Sequence, residues 1–206
     1  MSRRGFFITL EGPEGSGKST QVRLLADTLR NRGYDVLLTA EPGGDAVAQE
    51  IRAIVLHGKA EIVPEAELLL YLAARAQHVR HIINPALDEG KIVISDRYAD
   101  SSFAYQGYGR GIDIESLRCL NDFATSGLKP DLTILLDVPV ELGLKRQQDR
   151  NRFEAESVEF HQRVRNGFLK LAKQEPDRWV TIDASKEIEE VESLVIKVLE
   201  ARFPKI

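Results

Sequence analysis

Phe6-Phe7-Ile8-Thr9-Leu10-Glu11-Gly12-Pro13-Glu14-Gly15-Ser16-Gly17-Lys18-Ser19 is the stretch on which the reading of the fold turns. Residues 6–10 form a short apolar run containing the aromatic and β-branched side chains that favour strands. At Gly12 the run passes into Gly-x-x-x-x-Gly-Lys-Ser, and helical spacing begins at about Lys18. A strand, a glycine-rich loop and a helix in this order bring backbone N–H groups together at one point. The glycines admit backbone geometry closed to other residues, and the helix N-terminus adds roughly half a positive charge. Gly12, Pro13, Glu14, Gly15, Ser16, Gly17, Lys18 and Ser19 are therefore expected to cradle the phosphates of a nucleoside triphosphate, ATP. Lys18 would bridge the β- and γ-phosphates. Ser19 offers a hydroxyl to Mg²⁺, which takes oxygen ligands and shares them with phosphates.

Outward from this loop, further apolar runs appear at Val36–Thr39, Ile92–Ser95, Leu132–Leu136 and Trp179–Ile182, making five candidate strands with Phe6–Leu10. Helical spacing lies between them, as in Leu24, Leu25, Thr28, Leu29 and in Leu68, Leu69, Leu72, Ala76, Val79. Continuous apolar strands alternating with helices predict an α/β fold, a doubly wound five-stranded parallel sheet with helices on both faces. At 206 residues one domain, 1–206, is expected. The polar stretch from Gln147 to Glu159, dense in Arg, Glu and Asp, suggests a mobile lid at about residues 146–157.

Composition limits the function classes. A hydrophobic fraction of 43% and a charged fraction of 29% fit a chain that folds on its own, and the net charge of -4 gives no general attraction to nucleic acid or anionic membrane. The apolar stretch after Arg3-Arg4 stops at Glu11, too short for a signal segment or a span. The single Cys119 fits a reducing compartment, so the cytoplasm is the expected location. Cys119 is expected to pack within a helix, and His57, His78, His81 and His161 show no metal-ligand grouping.

Two strands end in a carboxylate, Ile92-Val93-Ile94-Ser95-Asp96 and Leu132-Thr133-Ile134-Leu135-Leu136-Asp137, and ligands of parallel sheets bind beyond such strand ends. Asp137 precedes Pro139 and Glu141, which look like the first turn of a helix that Asp137 would help to start. Asp96 is followed by Arg97, which sets a metal-binding carboxylate beside a planar phosphate-binding fork. Asp96-Arg97 is the favoured functional pair. The absence of an Asn-Lys-x-Asp run argues against a guanine-specific switch.

Further runs narrow the class: Asp96-Arg97-Tyr98, Ser101-Ser102-Phe103-Ala104-Tyr105-Gln106-Gly107-Tyr108-Gly109-Arg110-Gly111, Glu41-Pro42-Gly43-Gly44 and Leu72-Ala73-Ala74-Arg75. In these the chain resembles the thymidylate kinases, P-loop kinases that phosphorylate dTMP with ATP and Mg²⁺, and Ala104-Tyr105-Gln106-Gly107 resembles the bacterial members. The resemblance runs from Phe6 to Asp183-Ala184. It implies that Glu14 accepts the 3′-hydroxyl of dTMP, that Arg52 and Arg97 hold its 5′-phosphate, and that Glu41 and Pro42 belong to the dTMP site. Arg75 would read a thymine carbonyl. Tyr71, four residues earlier on the same helical face, would stack on the base. Tyr105 would press on the deoxyribose and disfavour a 2′-hydroxyl, with Ser102 and Gln106 near the base edge and Ala184 beside adenine. The resemblance also implies a homodimer.

Two departures stand out. In one branch of these enzymes an Arg directly follows the loop carboxylate; here Gly15 follows Glu14, so the lid must supply the catalytic Arg, from Arg146, Arg150 or Arg152. Arg152-Phe153-Glu154 best matches the end of a bacterial lid, although this one looks a few residues shorter. Ala40 stands where related bacterial proteins often carry Arg.

Overall fold

The computed structural model describes residues 4–147, 153 and 156–202. Arg150, Arg152 and Glu154, and with them most of the expected lid, lie outside the described residues. The strands are β1 (Phe6–Glu11), β2 (Val36–Ala40), β3 (Ile92–Asp96), β4 (Leu132–Asp137) and β5 (Trp179–Asp183). They form one parallel sheet in the order β2-β3-β1-β4-β5, with β1 at its centre. Each strand runs one residue past its apolar run, to Glu11, Ala40, Asp96, Asp137 or Asp183. The ladder pairs Leu10 with Asp96 and Asp137 with Asp183 because backbone pairing is indifferent to whether the side chain is apolar.

The helices are α1 (Lys18–Asn31), α2 (Ala46–His57), α3 (Pro64–His78), α4 (Asn84–Asp88), α5 (Ala99–Ser102), α6 (Ile114–Thr125), α7 (Val140–Arg146), α8 (Val158–Gln174) and α9 (Ile188–Arg202). Two π-helical segments, Val79–Ile83 and Phe103–Gly109, join α3 to α4 and extend α5. Alternation along the strands sorts side chains between two faces. Ile8, Leu10, Ile94, Ile134 and Leu136 pack with α1 and α9, where Leu25, Leu29, Val195 and Leu199 are buried. Phe7, Val93 and Leu135 face the other side, covered by α3, α4, α6, α8 and the second π segment. Leu68 and Leu72 join that core, whereas Leu69, counted in the same apolar stripe from sequence, is 55% exposed.

The expected helix-starting role of Asp137 is not what the structure has. Pro139 precedes α7 and no side chain caps it; Asp137 instead accepts both Nε and Nη2 of Arg165, at 2.7 and 2.9 Å. Cys119 is exposed on α6 rather than packed.

Candidate active site

The loop between β1 and α1 is shaped by close approach. Gly12 (φ 150°) would place a Cβ 2.4 Å from the Leu136 carbonyl oxygen, and Gly15 (φ 66°) one 2.0 Å from that of Gly143. Gly17, also left-handed at φ 86°, begins α1 with no side-chain cap, and the first turn carries no acidic residue. The first N–H groups of α1 are thus left to an outside acceptor, the arrangement that binds anions. Lys18 folds back over the loop, donating to the Pro13 carbonyl at 2.8 Å and to Ser16 Oγ at 3.1 Å. Burial, then the charge of Arg97, pushes its ammonium down to about 8, against the pull of Glu14, Asp96 and Glu11. Ser19 Oγ donates to Asp96 Oδ2 at 2.5 Å, so the hydroxyl of α1 and the carboxylate ending β3 meet across the site.

Beside this pair stands Arg97, whose own backbone is left-handed at φ 68°. Nη1 donates to the Gly12 carbonyl (3.1 Å) and Ser101 Oγ (3.2 Å); Nη2 donates to Glu14 Oε1 (3.0 Å) and the Tyr105 hydroxyl (3.1 Å). The Tyr105 hydroxyl donates to the same Glu14 oxygen at 2.9 Å. Burial works to raise the Glu14 pKa, but Arg97 and Lys18 outweigh it and hold the carboxyl below its ordinary value. A residue of the phosphate loop is therefore locked to the Asp96-Arg97 segment.

Farther along the same cleft, Arg75 is 2% exposed and nearly saturated. Its Nε donates to Glu41 Oε2 (2.7 Å), Nη1 to Ser102 Oγ (3.0 Å) and Asn121 Oδ1 (3.2 Å), and Nη2 to the Tyr98 carbonyl (3.1 Å). Glu41 also meets His78 Nδ1 at 3.0 Å, and His78 Nε2 lies 2.7 Å from Thr39 Oγ1. Burial alone would raise Glu41; Arg75 first, then His78, bring it below the ordinary carboxyl value. Arg52 on α2 donates to the Pro42 carbonyl at 2.8 Å. Gln106 donates to the fully buried Glu67, which also takes Nε and Nη2 of Arg110. The rings of Tyr71 and Tyr105 lie 6.3 and 5.5 Å from that of Phe153.

One cleft of about 1480 Å³ joins these clusters, larger than the roughly 300–1,000 Å³ of an ordinary single-ligand pocket. Glu14 through Ser19, Glu41, Pro42, Arg52, Tyr71, Arg75, Asp96, Arg97, Ser102, Tyr105, Gln106 and Ala184 all line it, so residues spread over 170 positions of sequence converge. Gly12 and Pro13 stand behind the lining and contribute their carbonyls to Arg97 and Lys18. Asp137 is not among the lining residues. Arg146, which also lines the cleft, donates to the carbonyls of Ala184 (2.6 Å) and Ser185 (2.9 Å) in the β5–α9 turn.

Comparison with known proteins agrees with this geometry. A family model described as thymidylate kinase matches residues 10–195. This chain belongs to the thymidylate kinase family. The thymidylate kinase of Geotalea uraniireducens (strain Rf4) is 51% identical, over 97% of this chain and 98% of that protein. That of Sulfurihydrogenibium sp. (strain YO3AOP1) is 50% identical, over 96% and 98%. The crystal structure of thymidylate kinase from Ehrlichia chaffeensis superposes with a TM-score of 0.79 at 40% identity, covering 95% of this chain and 99% of that one.

Against the family pattern, the structure adds residues that the sequence reading passed over. His78, to which no role fell, seats the carboxylate of Glu41. Glu67 lies at the same spacing of four as Tyr71 and Arg75 and supports Gln106, a signal open to inspection beforehand. Phe153, read only as part of a lid motif, walls the cleft between Tyr71 and Tyr105. Glu11 is entirely buried at the end of β1, directly before Gly12, and nothing in its spacing sets it apart.

Proposed function

We propose that the chain transfers the γ-phosphoryl group of ATP to dTMP, giving dTDP, in the supply of dTTP. The observation that carries this is Glu14: one side chain belongs to the phosphate loop yet is bonded to Arg97 and Tyr105 of the opposite wall. Donor and acceptor sites thereby share one cluster, as in-line transfer between two bound nucleotides requires. Family membership and the size of the cleft support the same reading.

ATP phosphates lie on Gly12 through Ser19, with Lys18 on the β- and γ-oxygens and the base toward Ala184 and Arg146. Ser19 and Asp96 fit Mg²⁺, because both present hard oxygen atoms at one point and this ion commonly takes one or two protein oxygens together with phosphate. The bound ion supplies neutralisation of phosphate charge. Arg97 stands between donor and acceptor phosphates, and Arg52 holds the dTMP phosphate with Glu41 and Pro42 behind it. Glu14 takes the 3′-hydroxyl, Tyr105 closes the sugar side, and Tyr71, Arg75, Ser102 and Gln106 face thymine. Because transfer runs through a loose transition state, these groups act by alignment and charge, with no covalent intermediate. Arg150 or Arg152 completes the charge over the moving phosphoryl group from a lid at 146–157 in a single domain. The working protein is a cytoplasmic homodimer.

Purified protein with ATP, Mg²⁺ and each monophosphate in turn is expected to release ADP with dTMP well above CMP or UMP. Equal release with CMP or UMP overturns the proposal.

A further inference from the structure

Arg97 is one of two described non-glycine residues in the left-handed region, the other being Ser126, which ends α6. Such a conformation costs about 1 kcal/mol or more and persists only where neighbouring contacts over-determine it. At Arg97 those contacts come mostly from β1. Its N–H donates to the Leu10 carbonyl at 3.0 Å, and its carbonyl accepts Ser95 Oγ at 2.7 Å. The next N–H, of Tyr98, donates to Glu11 Oε1 at 2.7 Å, and Ser101 Oγ donates to Glu11 Oε2 at 2.6 Å. Ser101 Oγ in turn accepts from the Arg97 guanidinium. Both oxygens of Glu11 thus grip the chain on the far side of Arg97, and one of them reaches its side chain through a single hydroxyl.

Among the described residues the hydrogen bonds to this carboxyl come from the Tyr98 N–H and Ser101 Oγ, while Asp100, an acidic neighbour, is taken up by Arg178 through bonds of 2.6 and 3.0 Å. Glu11 is fully buried, so water does not substitute for it. We infer that Glu11 is a positioning residue: it fixes the strained backbone of Arg97 in register with the phosphate loop, so that the guanidinium meets the transferring phosphate. The inference rests on the kinase reading above.

The test is a double-mutant cycle in the full-length protein. Arg97→Ala removes the group being positioned, and Glu11→Ala removes the clamp. Glu11→Ala alone is expected to lower kcat by about 10- to 100-fold, the scale of a displacement near 1 Å, with KM for ATP within about twofold because the loop keeps its own contacts. Glu11→Gln, which retains an oxygen for the Tyr98 N–H, is expected to recover most of that loss. In the Arg97→Ala background, Glu11→Ala should cost less than about twofold more, since coupled residues are not additive. Losses that multiply in the double variant, or a Glu11→Ala loss that disappears when rates are corrected for the folded fraction, overturn the inference. A wild-type protein inert toward dTMP would instead sink the kinase reading and is seen before any variant is made.

Discussion

At the scale of single residues, the site depends on charges that have been moved out of water and then paired. Glu41 is the clearest case, a carboxylate 6% exposed between Arg75 and His78. Removing one member of such a buried pair leaves the other uncompensated, a loss of about 3–5 kcal/mol. Glu41→Gln is therefore expected to lower Tm at pH 7 by on the order of 10 °C, from the usual few degrees per kcal/mol in a chain of this length. The pH dependence follows from the lowered pKa of Glu41 in the folded state. A depressed carboxylate adds stability above its unfolded value of 4.5 and loses it as pH falls through the folded value. The gap in Tm between wild type and Glu41→Gln should thus be widest near pH 7 and close below pH 4.5, by scanning calorimetry in matched buffers. A gap independent of pH would assign the stabilisation to packing instead of charge.

At the scale of elements, the five strands and the loop after β1 were legible because each is a local pattern: an apolar run, then residues that only certain backbone geometries need. The two π-helical segments were not. A wide turn shifts the 3.6-residue period by one position, so apolar spacing cannot announce it. Gly107 and Gly109 are both buried in the second segment, and a Cβ on Gly109 would meet Phe160 of α8 at 2.8 Å. Gly109 serves close packing on α8, remote in sequence, and Gly107 leaves room for Ile114, which its Cβ would meet at 2.6 Å. Glu41, Arg52, Tyr71, Arg75, Ser102, Tyr105 and Gln106 came from resemblance, whereas His78 and Glu11 escaped because their partners are remote in sequence, and Glu67 was passed over although it repeats the spacing of Tyr71 and Arg75. The same kind of close approach sets α7 against the phosphate loop. A Cβ on Gly143 would sit 2.3 Å from the Glu14 carbonyl oxygen, backbone against backbone with no flexible side chain to yield. Gly143→Ala should therefore push α7 and the loop apart at about 1–3 kcal/mol, the cost of overpacking. KM for ATP should rise several-fold, with a smaller change in KM for dTMP. Unchanged KM values and Tm would mean that α7 can move without disturbing the loop.

At the scale of the whole molecule, the helices that the proposed function assigns to the acceptor side lie in a layer with apolar side chains turned to solvent. α2 packs on α3 and α3 on α6, and each shows a large apolar side chain to solvent: Ile54 at 51%, Leu69 at 55% and Phe123 at 89%. No helix among the described residues is long and apolar enough to cross a membrane. A second copy related by a two-fold axis would cover the face with its own equivalent, the commonest closed assembly. Phe123→Glu places a charge where burial is expected and should convert a dimer to a monomer by light scattering on gel filtration. The consequence for activity is directional. Arg52 lies on α2, and Tyr71 and Arg75 lie on α3, all lining the cleft, whereas the glycine-rich loop lies between β1 and α1 and packs on α7 at Gly143. Loosening the α2–α3 layer should raise KM for dTMP several-fold and leave KM for ATP within about twofold, since only the acceptor's binding contacts move. If wild type is already monomeric at assay concentration, or if Phe123→Glu stays dimeric, this face is not the dimer interface, and the exposure of Phe123 then needs a different partner.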